Sequence, residues 1–143
     1  MPPSRDEALE VVTIPCLSDN YAYLVLSPDG GSAALVDAPE AAPIQAELDR
    51  RGVTLTDIMI THHHHDHIGA VDELATSDTR VIGAAADAHR LPPLHLSVGE
   101  GDVFDLFGAE VRVMDVSGHT VGHIAFYVPA AGAVFTADSL MAL

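Results

Sequence analysis

"THHHHDHIGA", residues 61–70, sets five histidines and one aspartate in the six places after Thr61. The run lies mid-chain and continues directly from "LTDIMI" at 55–60, so it belongs to the fold and is not an appended tag. His62, His64 and Asp66 stand two apart, and side chains at that spacing on extended backbone project to one side. His67 follows where the chain turns into "IGAVDELA", which opens a second direction of approach. One short loop can therefore feed two neighbouring metal positions. Imidazole and carboxylate donors suit zinc, iron or manganese, and the absence of thiolates excludes a Cys-rich structural zinc. Taken alone, the same stretch also reads as a solvated polar loop.

The rest of the chain bounds what such a loop can serve. At 143 residues, 48% hydrophobic and 19% charged, the sequence has the size of one domain and the material for a packed core. Twenty-one acidic residues face six arginines and no lysine, a formal net charge of −15. That field repels phosphate backbones, so nucleic acid is not an expected partner. A salty habitat would favour the same acidity. The single cysteine, Cys16, cannot form an internal disulfide, which fits a reducing compartment. "MPPSRDEALEVV" has no apolar core of signal-peptide length, and no apolar run approaches membrane-spanning length. The expectation is a cytoplasmic location and no membrane partner.

Alternation and β-branched runs predict strands near Leu9–Ile14, Tyr21–Leu26 and Ala33–Asp37, the last two joined by "SPDGG", as an opening β-meander. "APEAAPIQAELDRRG" reads as a helix: Pro43 suits a first turn, Ile44 and Leu48 share a face, and Arg50 and Arg51 complement the negative C-terminal end before Gly52. A strand ending at Thr61, the histidine loop, and a short helix with Ile68, Val71 and Leu74 on one face come next. Further strands are expected at Arg80–Gly83, in a hairpin turning near Gly108, and at Ile124–Val128 and Ala133–Thr136. Mixed strands and helices imply an α/β sandwich with its site on loops at strand ends.

Two later segments extend the constellation. "VSGHTVGH" puts His119 and His123 between two predicted strands with Gly118 and Gly122 permitting tight backbone, and "VFTADSL" ends a strand with Asp138. With "THHHHDH", "GHTVGH" and "FTADS" in this order, the sequence resembles the metallo-β-lactamase superfamily. Through "IPCLSDNYAYLV", "ALVDAP" and "THHH" it is most similar, within that superfamily, to the hydroxyacylglutathione hydrolases (glyoxalase II). The resemblance covers essentially the whole chain.

It implies an α/β fold, the metallo-β-lactamase-like αββα sandwich, of which residues 1–143 would supply the N-terminal portion only. It makes His62, His64 and His119 ligands of a first metal, Asp66 and His67 ligands of a second, and Asp138 a bridge between them. The cofactors implied are two divalent ions, zinc first, with iron or manganese as alternatives. Coordination lowers the pKa of water from about 15.7 to about 7, and Asp66 would aim the resulting hydroxide. This agrees with the lack of a Ser or Cys nucleophile beside a histidine. The implied substrate is a glutathione thioester, S-D-lactoylglutathione, whose thiolate leaves with little protonation because thiols have pKa near 8.5.

The chain departs from the pattern after Asp138, five residues before its last residue. The further histidine on the second metal and the helical domain that grips glutathione have no counterpart here, so a truncated form with a weakened second site is expected. Self-association through the apolar surface that the second sheet would otherwise cover is expected with it. Two other functions compete: a mononuclear iron persulfide dioxygenase of the same superfamily, and a non-catalytic metal-binding fragment.

The remaining candidates carry plainer readings. His63 and His65 fall outside the alternating set and are read as packing or ligand-supporting groups, and His123 as orienting its loop. His89 and His95 read as surface residues and Cys16 as a small buried apolar one. Asp37 either supports the histidine loop from behind or simply caps a strand. Asn20 and Tyr21 are read as structural residues near the site.

Overall fold

The computed structural model describes residues 9–16, 20–61, 70–91, 93–115, 124–136 and 140–142. The chain opens with the expected meander. β1 (Glu10–Cys16) pairs antiparallel with β2 (Asn20–Leu26), and β2 with β3 (Ser32–Val36), from Glu10 opposite Leu26 to Tyr23 opposite Val36. Helix α1 (Ala41–Arg51) then carries the chain across to β4 (Thr54–Met59), which lies parallel to β3. The helix stops where the sequence says it should. Gly52 takes a left-handed φ of 64°, and the Val53 amide reaches back to the Leu48 carbonyl at 3.2 Å.

Helix α2 (Val71–Leu74) leads to β5 (Arg80–Ala84), and β6 (Leu96–Val98) adds a third parallel pairing after a 3-10 turn over Ala85–Arg90. This first sheet runs in the order β1-β2-β3-β4-β5-β6. The second sheet is antiparallel throughout, in the order β11-β10-β9-β8-β7. Its strands are β7 (Val103–Leu106), β8 (Ala109–Asp115), β9 (Ile124–Val128), β10 (Ala133–Phe135) and β11 (Leu140–Ala142).

Strand alternation sorts the side chains into two cores. On the inner side Val25, Val36, Met59 and Ile82 meet Val113, Phe126 and Phe135 of the second sheet, all buried. On the outer side Leu24, Leu35, Ile58 and Val81 are covered by Ile44 and Leu48 of α1 and Val71 and Leu74 of α2. The described residues thus build one helical layer and two sheets, the α, β and β layers of the sandwich expected from sequence. No helix among them is long and apolar enough to cross a membrane.

Short elements escaped the sequence reading. The 3-10 turn, β6 and β11 each span only three to six residues, too few for periodicity to register. Gly83 shows what holds the first two in place: a Cβ there would sit 2.8 Å from Leu91 Cδ1 and 3.1 Å from Leu94 Cδ2, so the segment leading to β6 packs directly on bare backbone.

Candidate metal centre

Asp37 stands at the first position beyond β3 with a φ of 63°, a conformation that aspartate tolerates better than most side chains. It is buried, and its carboxylate accepts two hydrogen bonds from Thr61, the amide at 2.9 Å and the hydroxyl at 2.8 Å. The next residue, Ala38, accepts the amide of Ala70 at 2.8 Å. Both ends of the segment 62–69 are therefore tied to two consecutive residues, and the strand-end aspartate is a loop anchor as well as a strand terminator. Parallel pairing explains the arrangement: β3 and β4 finish at the same end of the sheet, with Val36 opposite Met59.

The second sheet meets this anchor. Ile124, the first residue of β9, donates its amide to the Thr61 carbonyl at 2.9 Å. Phe135, at the end of β10, lies with its ring 5.7 Å from that of Tyr23 on β2. Three segments thus attach at one end of the sandwich: the histidine loop after Thr61, the Gly-His loop before Ile124, and the chain that follows Thr136 toward Asp138. The candidate ligands His62, His64, Asp66, His67, His119 and Asp138 lie outside the described residues, as do His63, His65 and His123. Among the described residues no group of three or more His, Cys, Asp or Glu side chains could hold a metal ion.

Other candidates are settled by their surroundings. Cys16 is buried, and burial, reinforced by the charge of Glu40, pushes its thiol up to about 11. It is a packed apolar residue, as read from sequence. His89 is exposed, also as read. His95 is exposed too, but its Nδ1 accepts the Val81 amide at 3.0 Å while its own amide donates to the Val81 carbonyl at 2.8 Å. It fastens the segment before β6 to β5, a role no spacing in the sequence announced. Tyr21, read from sequence as a structural residue near the site, is 53% exposed.

Residues 17–143 match the family model described as Metallo-beta-lactamase superfamily. A hydroxyacylglutathione hydrolase of Ruegeria pomeroyi is 68% identical over 139 residues, 94% of this chain and 53% of that protein. The chain spans about half the length of the curated relatives it matches. Among solved structures, the B3 metallo-beta-lactamase BLEG-1 superposes with a TM-score of 0.79 at 22% identity, over 88% of this chain and 70% of that one. TTHA1623, solved in a di-iron-bound form, superposes with a TM-score of 0.68 at 31% identity, over 87% of this chain and 70% of that one. Two sheets of this topology, three motif-bearing segments rooted at one end, and a match over residues 17–143 lead to one assignment: the chain belongs to the metallo-beta-lactamase superfamily.

Proposed function

We propose that this chain is the N-terminal part of a metal-dependent hydrolase of glutathione thioesters, acting on S-D-lactoylglutathione to release D-lactate and glutathione. The observation that carries the reading is the 68% identity to a hydroxyacylglutathione hydrolase along 94% of this chain. His62, His64 and His119 would hold one divalent ion, Asp66 and His67 a second, and Asp138 both. The donor chemistry fits: imidazole and carboxylate with no thiolate suit zinc, iron or manganese, and a relative of similar fold is known in a di-iron form. When bound, the ions supply hydroxide at neutral pH and polarise the thioester carbonyl.

The chain's own residues do the positioning. Asp66 would accept a hydrogen bond from the nucleophile and aim it. Asp37 and Ala38, holding Thr61 and Ala70, restrain the loop that carries four of the six ligands, which supports the preorganisation such a site needs. No protein acid is required at the leaving group, because a thiolate of pKa near 8.5 departs readily.

In the whole protein, Asp138→Ala is expected to lower metal content and abolish lactoylglutathione hydrolysis together, while His95→Ala leaves both unchanged. Metal analysis beside a thioester assay reads this directly. Equal effects from the two substitutions, or one iron per chain with oxygen uptake and no hydrolysis, would overturn the reading.

A further inference from the structure

Among the described residues only two large hydrophobic side chains stand exposed, Tyr21 at 53% and Val103 at 55%. Val103 opens β7, one of the two edge strands of the second sheet. Tyr21 is placed quite differently. Tyr23, Val36 and Met59 lie abreast on β2, β3 and β4. Because β2 runs opposite to the other two, Tyr21 and Thr61 both lie two residues beyond that line, in the same direction. They therefore stand level with one another, separated by two strand spacings, about 10 Å.

Facing follows from the same alternation. Tyr21 shares the side of β2 with Tyr23 and Val25, both of which belong to the inner core between the sheets. Tyr23 is covered there by Phe135, but Tyr21, one pair further out, passes beyond the second sheet's cover and keeps half its surface in solvent. A ring of this size is ordinarily buried or partnered. This one sits at the end of the sandwich where the histidine loop begins, on the inner side, level with Thr61.

We propose that Tyr21 is a specificity-determining residue that contacts the acyl group of the thioester substrate, an inference that rests on the thioester-hydrolase reading above. Its ring offers an apolar wall to a short acyl chain, and its phenol hydroxyl can hydrogen-bond to an acyl hydroxyl. In the metal-loaded whole protein, S-alkylglutathione thioethers from methyl to hexyl report this contact, since they carry no scissile carbonyl. Wild-type affinity is expected to rise along the series. Tyr21→Ala is expected to flatten the rise, weakening the hexyl compound by about tenfold and the methyl compound little, a loss of some 1.4 kcal/mol confined to the longer chain. Tyr21→Phe is expected to keep the rise, and Tyr21→Thr, which keeps strand propensity, to repeat the alanine result.

Uniform weakening along the series, or none, would overturn the assignment of Tyr21 while leaving the thioester reading standing, provided the wild type cleaves lactoylglutathione. A wild type that neither cleaves the thioester nor binds any thioether would overturn both.

Discussion

The carboxylate of Asp37 takes both donors of Thr61, the amide at 2.9 Å and the hydroxyl at 2.8 Å, across 24 residues of chain. Neither donor has access to water, because Thr61 is fully buried. Asp37→Ala strands both and also asks alanine to adopt a φ of 63°, so a loss of about 3 kcal/mol is expected. Asp37→Asn, which tolerates that backbone and keeps one acceptor, should cost less than half as much. Urea unfolding of the two variants checks the order. If the pair also restrains the histidine loop, metal affinity should fall in Asp37→Ala by more than in a variant destabilised at a site away from that loop.

Arg80 supplies that comparison. It donates from Nε to Asp57 at 2.6 Å and from a terminal nitrogen to the Asp105 carbonyl at 2.9 Å, and its guanidinium lies 5.4 Å from the centre of the Phe104 ring. Asp57 is in the first sheet and Asp105 in the second, so one side chain clasps the two layers. Its partner Asp57 sits on β4, four residues before Thr61, roughly 13 Å along the strand. Arg80→Ala leaves the buried Asp57 without this cation and should cost on the order of 2 kcal/mol, with metal content unchanged. Lysine should not rescue it, since one ammonium cannot span both acceptors and stack on the ring. Thermal unfolding beside metal analysis tests both statements.

His95→Ala removes the acceptor of the Val81 amide, a bond of 3.0 Å, and Val81 is itself 3% exposed. A loss of about 1 kcal/mol is expected. Hydrogen exchange should quicken at Val81 and in β6, while exchange in the second sheet stays as it was.

The Cys16 thiol, raised by burial from 9.0 to about 11, binds its proton more tightly in the folded chain than in the unfolded one. Its contribution to stability is therefore complete below pH 9 and is lost as pH rises through about 11. Cys16→Ala should flatten the decline in stability over that window. Native protein should resist thiol alkylation at pH 8, because the reactive thiolate is scarce and buried, and urea should restore the reaction.

Local chemistry makes much of this molecule legible in its sequence. Ile44, Leu48, the two arginines and Gly52 specify a helix and its end, and the alternation in β1 and β2 specifies a meander, because these patterns are written in neighbours along the chain. The order of the histidine and aspartate motifs points to the superfamily that the family model matches. Other features depended on partners far away in sequence. Phe107 adopts a φ of 56° beside Gly108 at 81° in the tight turn of the β7–β8 hairpin, where only the glycine was a visible signal. β6 exists because Ile82, Gly83 and Ala84 offer it a paired edge. The role of Asp37 could not be chosen between loop support and strand cap, because its two donors lie 24 residues on. Packing alone decided that Thr61 would join Asp37 of one sheet to Ile124 of the other: buried N–H and C=O groups must be paired, and only the closed sandwich brings these partners within reach.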